Sequence, residues 1–230
     1  MATSELIKDD LQQVSATGAA GLEAFFRKNL KTIIIALVAL AVIVGGYFAW
    51  RWYQNSQNDQ AAEQIGFAIR EFEGGRFRQA LDGTAGKPGL LKIADSFGST
   101  ETGNLAKFYA AAALDNLNDR KKALSYYEAY DKGENFLGAA AYAAQASITE
   151  DLNKDYAKAA DLYKEAANTS QDEAVAPEYL RKAARNYELS KNYDSARNMF
   201  NLIKEKYPKS AAAANLDYDL GRLEVLAGKK

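Results

Sequence analysis

Neither cysteine nor histidine occurs among the 230 residues of this chain. Without them there are no Ser-His-Asp or Cys-His nucleophiles, no zinc sites of the usual ligands, no haem attachment and no iron–sulfur cluster. Structural disulfides and a lipidated cysteine are excluded too, although a chain of this size can bury an adequate core unaided. No GxxxxGK[ST] or GxGxxG loop follows a strand to cradle a phosphate. Carboxylate pairs such as Glu150 with Asp151 and Asp217 with Asp219 read as parts of solvated helix faces or ends. The expectation is therefore a non-enzyme, with no catalytic, cofactor-binding or metal-binding residue. An excess of charge of one sign is also missing: 29 Lys and Arg stand against 30 Asp and Glu, which gives no electrostatic case for nucleic acid. Proline occurs only three times, and the abundance of Ala, Leu, Tyr, Lys, Asp and Glu is the composition of helices rather than sheets.

Charge is wholly absent from one stretch, the nineteen residues from Thr32 to Trp50 (TIIIALVALAVIVGGYFAW). As a helix rising about 1.5 Å per residue, it is about as long as a bilayer's hydrocarbon core is thick, with Tyr47, Trp50, Trp52 and Tyr53 at an interfacial belt. Arg27, Lys28 and Lys31 precede the run, and after Arg51 no basic residue follows until Arg70. The positive-inside rule then leaves residues 1–31 in the cytoplasm and exports the rest. Bulky Tyr47, Phe48, Trp50 and Trp52 follow the apolar stretch where a signal peptide needs small residues, so the pattern predicts an uncleaved anchor. Before it, Leu6, Ile7, Leu11 and Val14 have the spacing of a short amphipathic helix.

Beyond the anchor, one design recurs in KKALSYYEAY (121–130), YAKAADLYKEAA (156–167) and YDSARNMFNLI (193–203). Ala123, Ala159 and Ala196 are followed four residues later by Tyr127, Tyr163 and Phe200. The small residue lets two antiparallel helices approach, and the aromatic fills the gap to the next pair. A period slightly above about 34 with this content is a tetratricopeptide signature. Phe77 and Ala80 repeat the relation in a degenerate unit whose second helix is cut short by Gly83, Gly86, Pro88 and Gly89. Residues 89–97 read as a short amphipathic helix, STETGN (99–104) as a turn, and Leu216, Leu220, Leu223 and Leu226 as the apolar stripe of a helix that caps the array.

The predicted architecture is all-α: a cytoplasmic tail (1–31), a transmembrane helix (32–50) and a tetratricopeptide-repeat solenoid (51–230). Its units are expected at 57–97, about 104–137, 139–172 and 177–209, with a capping helix at 210–227. Such arrays bind proteins on the concave face of their first helices. The groove candidates are Phe108, Ala112 and Asp115 in one unit and Glu178, Arg181, Arg185 and Glu188 in another. The last four also have the spacing of intrahelical charge pairs.

Three short segments carry a family resemblance: AFFRKN (24–29) before the apolar run, RWYQN (51–55) after it, and TETGNLAKFYAAAAL (100–114). With the repeats, they resemble the bacterial YfgM-like proteins. That resemblance implies a single-pass inner-membrane protein with a periplasmic repeat domain, acting as an ancillary subunit of the Sec translocon. It further implies cooperation with periplasmic chaperones, notably a membrane-anchored peptidyl-prolyl isomerase-like protein, and no cofactor. Contact with lipid falls to residues 32–50. The rival reading is a scaffold subunit of another envelope complex, for outer-membrane assembly, cell-wall synthesis or energy transduction.

Overall fold

The computed structural model describes the backbone of residues 2–170 and 172–228, with side chains from Arg27 onward apart from residue 171. The amphipathic pattern expected at Leu6–Val14 lies outside the described side chains. Among the described residues the fold is all-α apart from one minimal hairpin: α1 (Ala2–Glu73), α2 (Phe77–Asp82), strands β1 (Gly83–Thr84) and β2 (Lys87–Pro88), α3 (Leu90–Phe97), α4 (Glu101–Asn116), α5 (Arg120–Ala129), α6 (Phe136–Asn153), α7 (Tyr156–Thr169), α8 (Ala176–Leu189), α9 (Tyr193–Lys206), a 3₁₀ turn (Ala211–Ala213) and α10 (Leu216–Leu226). Residues up to Asn55 form one compact unit and those from Ser56 onward a second.

In the first unit, α1 is long and apolar enough to cross a membrane by length and composition. From Leu30 to Tyr53, its large apolar side chains other than Ile33 are 44–74% exposed. Among the described residues these side chains stay exposed, unlike those of a core helix.

The second unit is built on a recurring joint. Gly75, Asn118, Lys154 and Lys191 all take the left-handed conformation, at φ 72°, 62°, 54° and 63°. At three of them the hydrogen bonds are those of a Schellman turn. The left-handed residue donates to the third carbonyl back, as in Asn118 to Asp115 and Lys191 to Glu188, and the next donates to the fifth back, as in Asp119 to Leu114 and Asn192 to Tyr187, at 2.8–2.9 Å. Asp155 and Asn192 then cap the following helices, accepting from the amides of Lys158 and Ser195. Five residues after each left-handed residue comes an alanine with no exposed surface: Ala80, Ala123, Ala159 and Ala196. A small residue at that point lets the second helix approach the first closely, in the pairs α4 with α5, α6 with α7 and α8 with α9.

The core has two clusters. The first gathers Ala61, Ile65, Ala68, Leu81, Leu90, Ile93 and the alanine stripe of α4 with Tyr127 and Tyr130; the second gathers Tyr163, Leu180, Tyr187, Phe200 and Ile203 with Leu216 and Leu223. Helix α6 serves both, with Ala141 and Ile148 in the first and Ala146 in the second.

The structure corrects two local expectations. Residues 99–104 are not a turn throughout: α4 starts at Glu101, and Thr100 is its N-cap, accepting from the Gly103 amide at 3.0 Å. Glycine is required at 103 because a Cβ there would lie 1.8 Å from the Phe97 carbonyl oxygen, which folds over the helix start. Leu226 does not share the buried stripe of α10 and is 46% exposed, whereas Leu216 and Leu223 are buried and Leu220 packs against the core. Arg120 stands where two other units have Tyr156 and Tyr193. Its guanidinium pairs with Asp115 at 3.3 Å and with Asp151, joining α5 to the ends of α4 and α6.

Candidate protein-binding groove

Helix α8 begins with Pro177 in its first turn and ends in the Lys191 joint, so its register is fixed at both ends. Leu180, Ala183, Ala184 and Tyr187 bury one face. The neighbouring face carries Glu178, Arg181, Arg185 and Glu188, and these four open on one cavity of about 420 Å³. Lys182, Leu189, Phe200, Asp219 and Arg222 complete its lining.

The charges here are of two kinds. Arg181 is committed: it donates to the carbonyls of Ala212 and Ala214 at 2.9 and 3.0 Å and pairs with Asp219 at 3.0 Å. Arg222 is committed as well, gripping the Glu188 carboxylate with two donors and reaching Asp219 at 3.5 Å. Hydrogen bonding to Glu188 outweighs burial and raises the Arg222 pKa above its ordinary value. This network fastens α10 to α8. Arg185 and Glu178, by contrast, are exposed and have no ion-pair partner among the described residues. Lys182 sits over the Tyr163 ring, 5.5 Å from its centroid. Leu189, 48% exposed, adds an apolar side chain to the rim. An open cavity with available cations and an uncovered leucine can hold a polypeptide segment by charge and apolar contact together.

The candidates of the other unit do not join this groove. Phe108 lies in an aromatic group with Tyr109, Tyr127 and Tyr130 at centroid distances of 5.5–5.9 Å. Ala112 packs against the first core cluster, and Asp115 pairs with Arg120. The residues assigned to packing are all buried: Ala123, Ala159 and Ala196 fully, Tyr127, Tyr163 and Phe200 to within 5% of full burial. Burial pushes the Tyr163 hydroxyl up to about 12, with the nearby Glu150 carboxylate acting in the same direction. It likewise raises Tyr127 and Tyr187.

Asp219, Arg222 and Lys182 were not foreseen as groove residues. A signal for two of them exists: Glu188 and Arg222 are 34 residues apart and Arg181 and Asp219 are 38 apart, opposite charges separated by about one repeat.

Antiparallel helix pairs joined by a recurring turn, with a lined cavity beside one first helix, α8, are the architecture of a helical-repeat protein. Residues 23–135 match the model of a tetratricopeptide repeat-like domain, a span that takes in the apolar run of α1 and continues through α5. Domains of this kind mediate protein–protein binding and are generally non-catalytic. No curated protein and no solved structure matches the chain.

Proposed function

We propose that this chain is a membrane-tethered adaptor that binds other proteins through its repeat domain and performs no catalysis. The observation that carries the reading is the extent of the repeat-domain match, which starts at residue 23 and includes the apolar segment. That extent supports a reading in which the apolar segment and the repeats act together. Tethering confines the domain near the bilayer, so that modest affinity suffices to keep a membrane partner engaged. Arg27, Lys28 and Lys31 ahead of the run favour a cytoplasmic N-terminus and a periplasmic repeat domain. Of the possible partners, the Sec translocon and a periplasmic peptidyl-prolyl isomerase-like chaperone are favoured by the resemblance to YfgM-like proteins. The contact surface is the cavity beside α8, where Lys182 and Arg185 retain charge for a partner.

Co-purification from mild detergent tests both halves of this reading. Translocon subunits should be recovered with the native chain and lost with Lys182→Glu combined with Arg185→Glu. Exchange of Thr32–Trp50 for an unrelated spanning helix should leave recovery intact. Recovery of cell-wall or outer-membrane assembly subunits instead would favour the rival scaffold, and recovery that survives deletion of residues 56–230 would sink the adaptor reading.

A further inference from the structure

The side chains that α8 turns towards the cavity form two flanks and a line between them. Lys182 leans over the Tyr163 ring of α7, and on the other side Arg181 and Glu188 are drawn to Asp219 and Arg222 of α10. Between the flanks stand Glu178, Arg185 and Leu189, all exposed and all lining the cavity. Steps of seven and four residues are close to whole turns, so the three lie within about 40° of one another around the helix. Glu178 and Arg185 have no ion pair among the described residues. From the start of α8 to its end the line therefore offers an acid, a base and an apolar side chain, in that order.

The spacing sets the scale of what can read that order. At about 1.5 Å per residue, Arg185 is about 10 Å along the axis from Glu178, and Leu189 is about 6 Å further on. An extended chain advances about 3.3 Å per residue, so it covers these steps in about three and about two residues. Extension is also the form with room: a helix about 10 Å across and three turns long takes up roughly three times the cavity's volume of about 420 Å³. The flanks do not blur the polarity. Arg181 with Asp219 and Arg222 with Glu188 already satisfy one another, and Lys182, three residues from Arg185 and four from Glu178, adds its charge at the basic end.

We propose that the cavity beside α8 holds an extended segment of a partner protein whose charges come in a fixed order: an apolar side chain against Leu189 and Phe200, a carboxylate about two residues along at Arg185, and a lysine or arginine about three residues beyond that at Glu178. With those charges exchanged, a carboxylate would face Glu178 and a cation would face Arg185. Like charges across an interface are costly, so a segment of the same composition in the wrong order is rejected. The inference rests on the reading of this cavity as the contact surface and adds the chemistry of the segment it accepts.

The test uses the full chain in detergent micelles and short labelled peptides of glycine and serine that carry leucine, aspartate and lysine at that spacing. A twin exchanges the aspartate and the lysine, so net charge is equal. Both are made in forward and reversed sequence, because a groove accepts an extended chain in either direction. In one direction the ordered peptide should bind at least about tenfold more tightly than its twin. Glu178→Arg combined with Arg185→Glu exchanges the protein's own charges at constant net charge and should reverse the preference. Neither residue has an ion pair among the described residues to lose, so an unchanged melting temperature will show the fold intact. Arg185→Gln, a milder change, should narrow the preference without reversing it. Equal binding of ordered and exchanged peptides, no binding of either, or an unreversed preference in the exchanged variant would overturn the proposal. Translocon recovery that depends on Lys182 and Arg185 while the peptides bind alike would remove the charge order and leave the adaptor standing, whereas recovery that survives deletion of residues 56–230 would remove both.

Discussion

Phe108 and Arg181 each stand ten residues before the left-handed residue that ends a repeat's first helix, Ala112 and Arg185 six before it, and Asp115 and Glu188 three before it. The three positions are the same in α4 and α8, yet they do opposite things. In α4 the aromatic ring turns into a cluster with Tyr127 and Tyr130 and the carboxylate pairs with Arg120 of the adjoining helix, which closes the surface. In α8 the two arginines and the glutamate border an open cavity, and the carboxylate reaches across it to Arg222. A repeat fixes where side chains stand. Their chemistry then decides whether the position packs or is available to a partner, which is why a groove in a repeat array need not run evenly along it.

The largest expected effect breaks the packed end of that comparison. Phe108→Ala removes a half-buried ring that touches three others, and partial burial puts the cost at about 2 kcal/mol, below the range for a fully buried phenylalanine. Chemical denaturation of the fragment from Ser56 onward should show it as a lower midpoint with unchanged slope. A loss no larger than that of an exposed residue would place Phe108 on an open groove after all.

Next in size is the ionic end. Arg222→Ala leaves Glu188, whose side chain is 14% exposed, without its partner, while Arg222 itself is 38% exposed. Solvent screening keeps such a pair at about 1 kcal/mol. Stability of the native protein should therefore fall with added salt more steeply than that of the variant, as the pair is screened. Phe108→Ala should not alter the salt dependence. Equal salt slopes for native and Arg222→Ala would show that the Arg222 pair contributes nothing to holding α10.

The all-helical repeat reading and the structure agree because the features behind it are local. Ala123, Ala159 and Ala196 with their following aromatics are visible at fixed spacing in the sequence, and each alanine is buried at a crossing. The start of α4 was harder to see: Ser, Thr and Gly in residues 99–104 suit a turn, and only the side-chain bond of Thr100 to Gly103 shows that they open a helix. The joints were hidden for a related reason. Asn118, Lys154 and Lys191 occupy a left-handed position that composition would assign to glycine, and at Asn118 and Lys191 the turn's hydrogen bonds hold them there. For the groove, residues on α8 could be named from helical spacing, but Asp219 and Arg222 reach it through tertiary contact across a full repeat. The exposure of Leu226 has the same origin, since a leucine stripe does not say which of its members a neighbouring helix reaches.

A smaller effect tests the tyrosines buried in two second helices, Tyr127 in α5 and Tyr163 in α7. Tyr127 and Tyr163 both have hydroxyl pKa values raised by burial, Tyr163 to about 12 against an unfolded value of about 10. A raised acidic group binds its proton more tightly in the folded state, so its contribution is complete below about pH 10 and is lost as pH climbs towards 12. Stability should therefore decline above about pH 10, and Tyr163→Phe should make the decline shallower by about one proton. Melting temperatures between pH 9 and 11 measure this, and an unaltered slope would mean that the Tyr163 hydroxyl is not held in its neutral form.

Arg185→Ala should have the smallest effect of all, and its smallness is the informative part. Arg185 stands where α4 has Ala112, which packs against the first core cluster. The substitution thus gives α8 the same residue that α4 carries at this position, on a face where nothing packs against it. Alanine also has at least as high a helix propensity as arginine. With no ion pair among the described residues to lose, the change in stability should stay within about 0.5 kcal/mol, the range of ordinary surface substitutions. Paired with Arg222→Ala, it separates a cation that holds the fold from one that the fold leaves available. If Arg185→Ala proves as costly as Arg222→Ala, Arg185 belongs to the latch on α10, and the cavity has lost its one unpaired guanidinium as a contact for a partner.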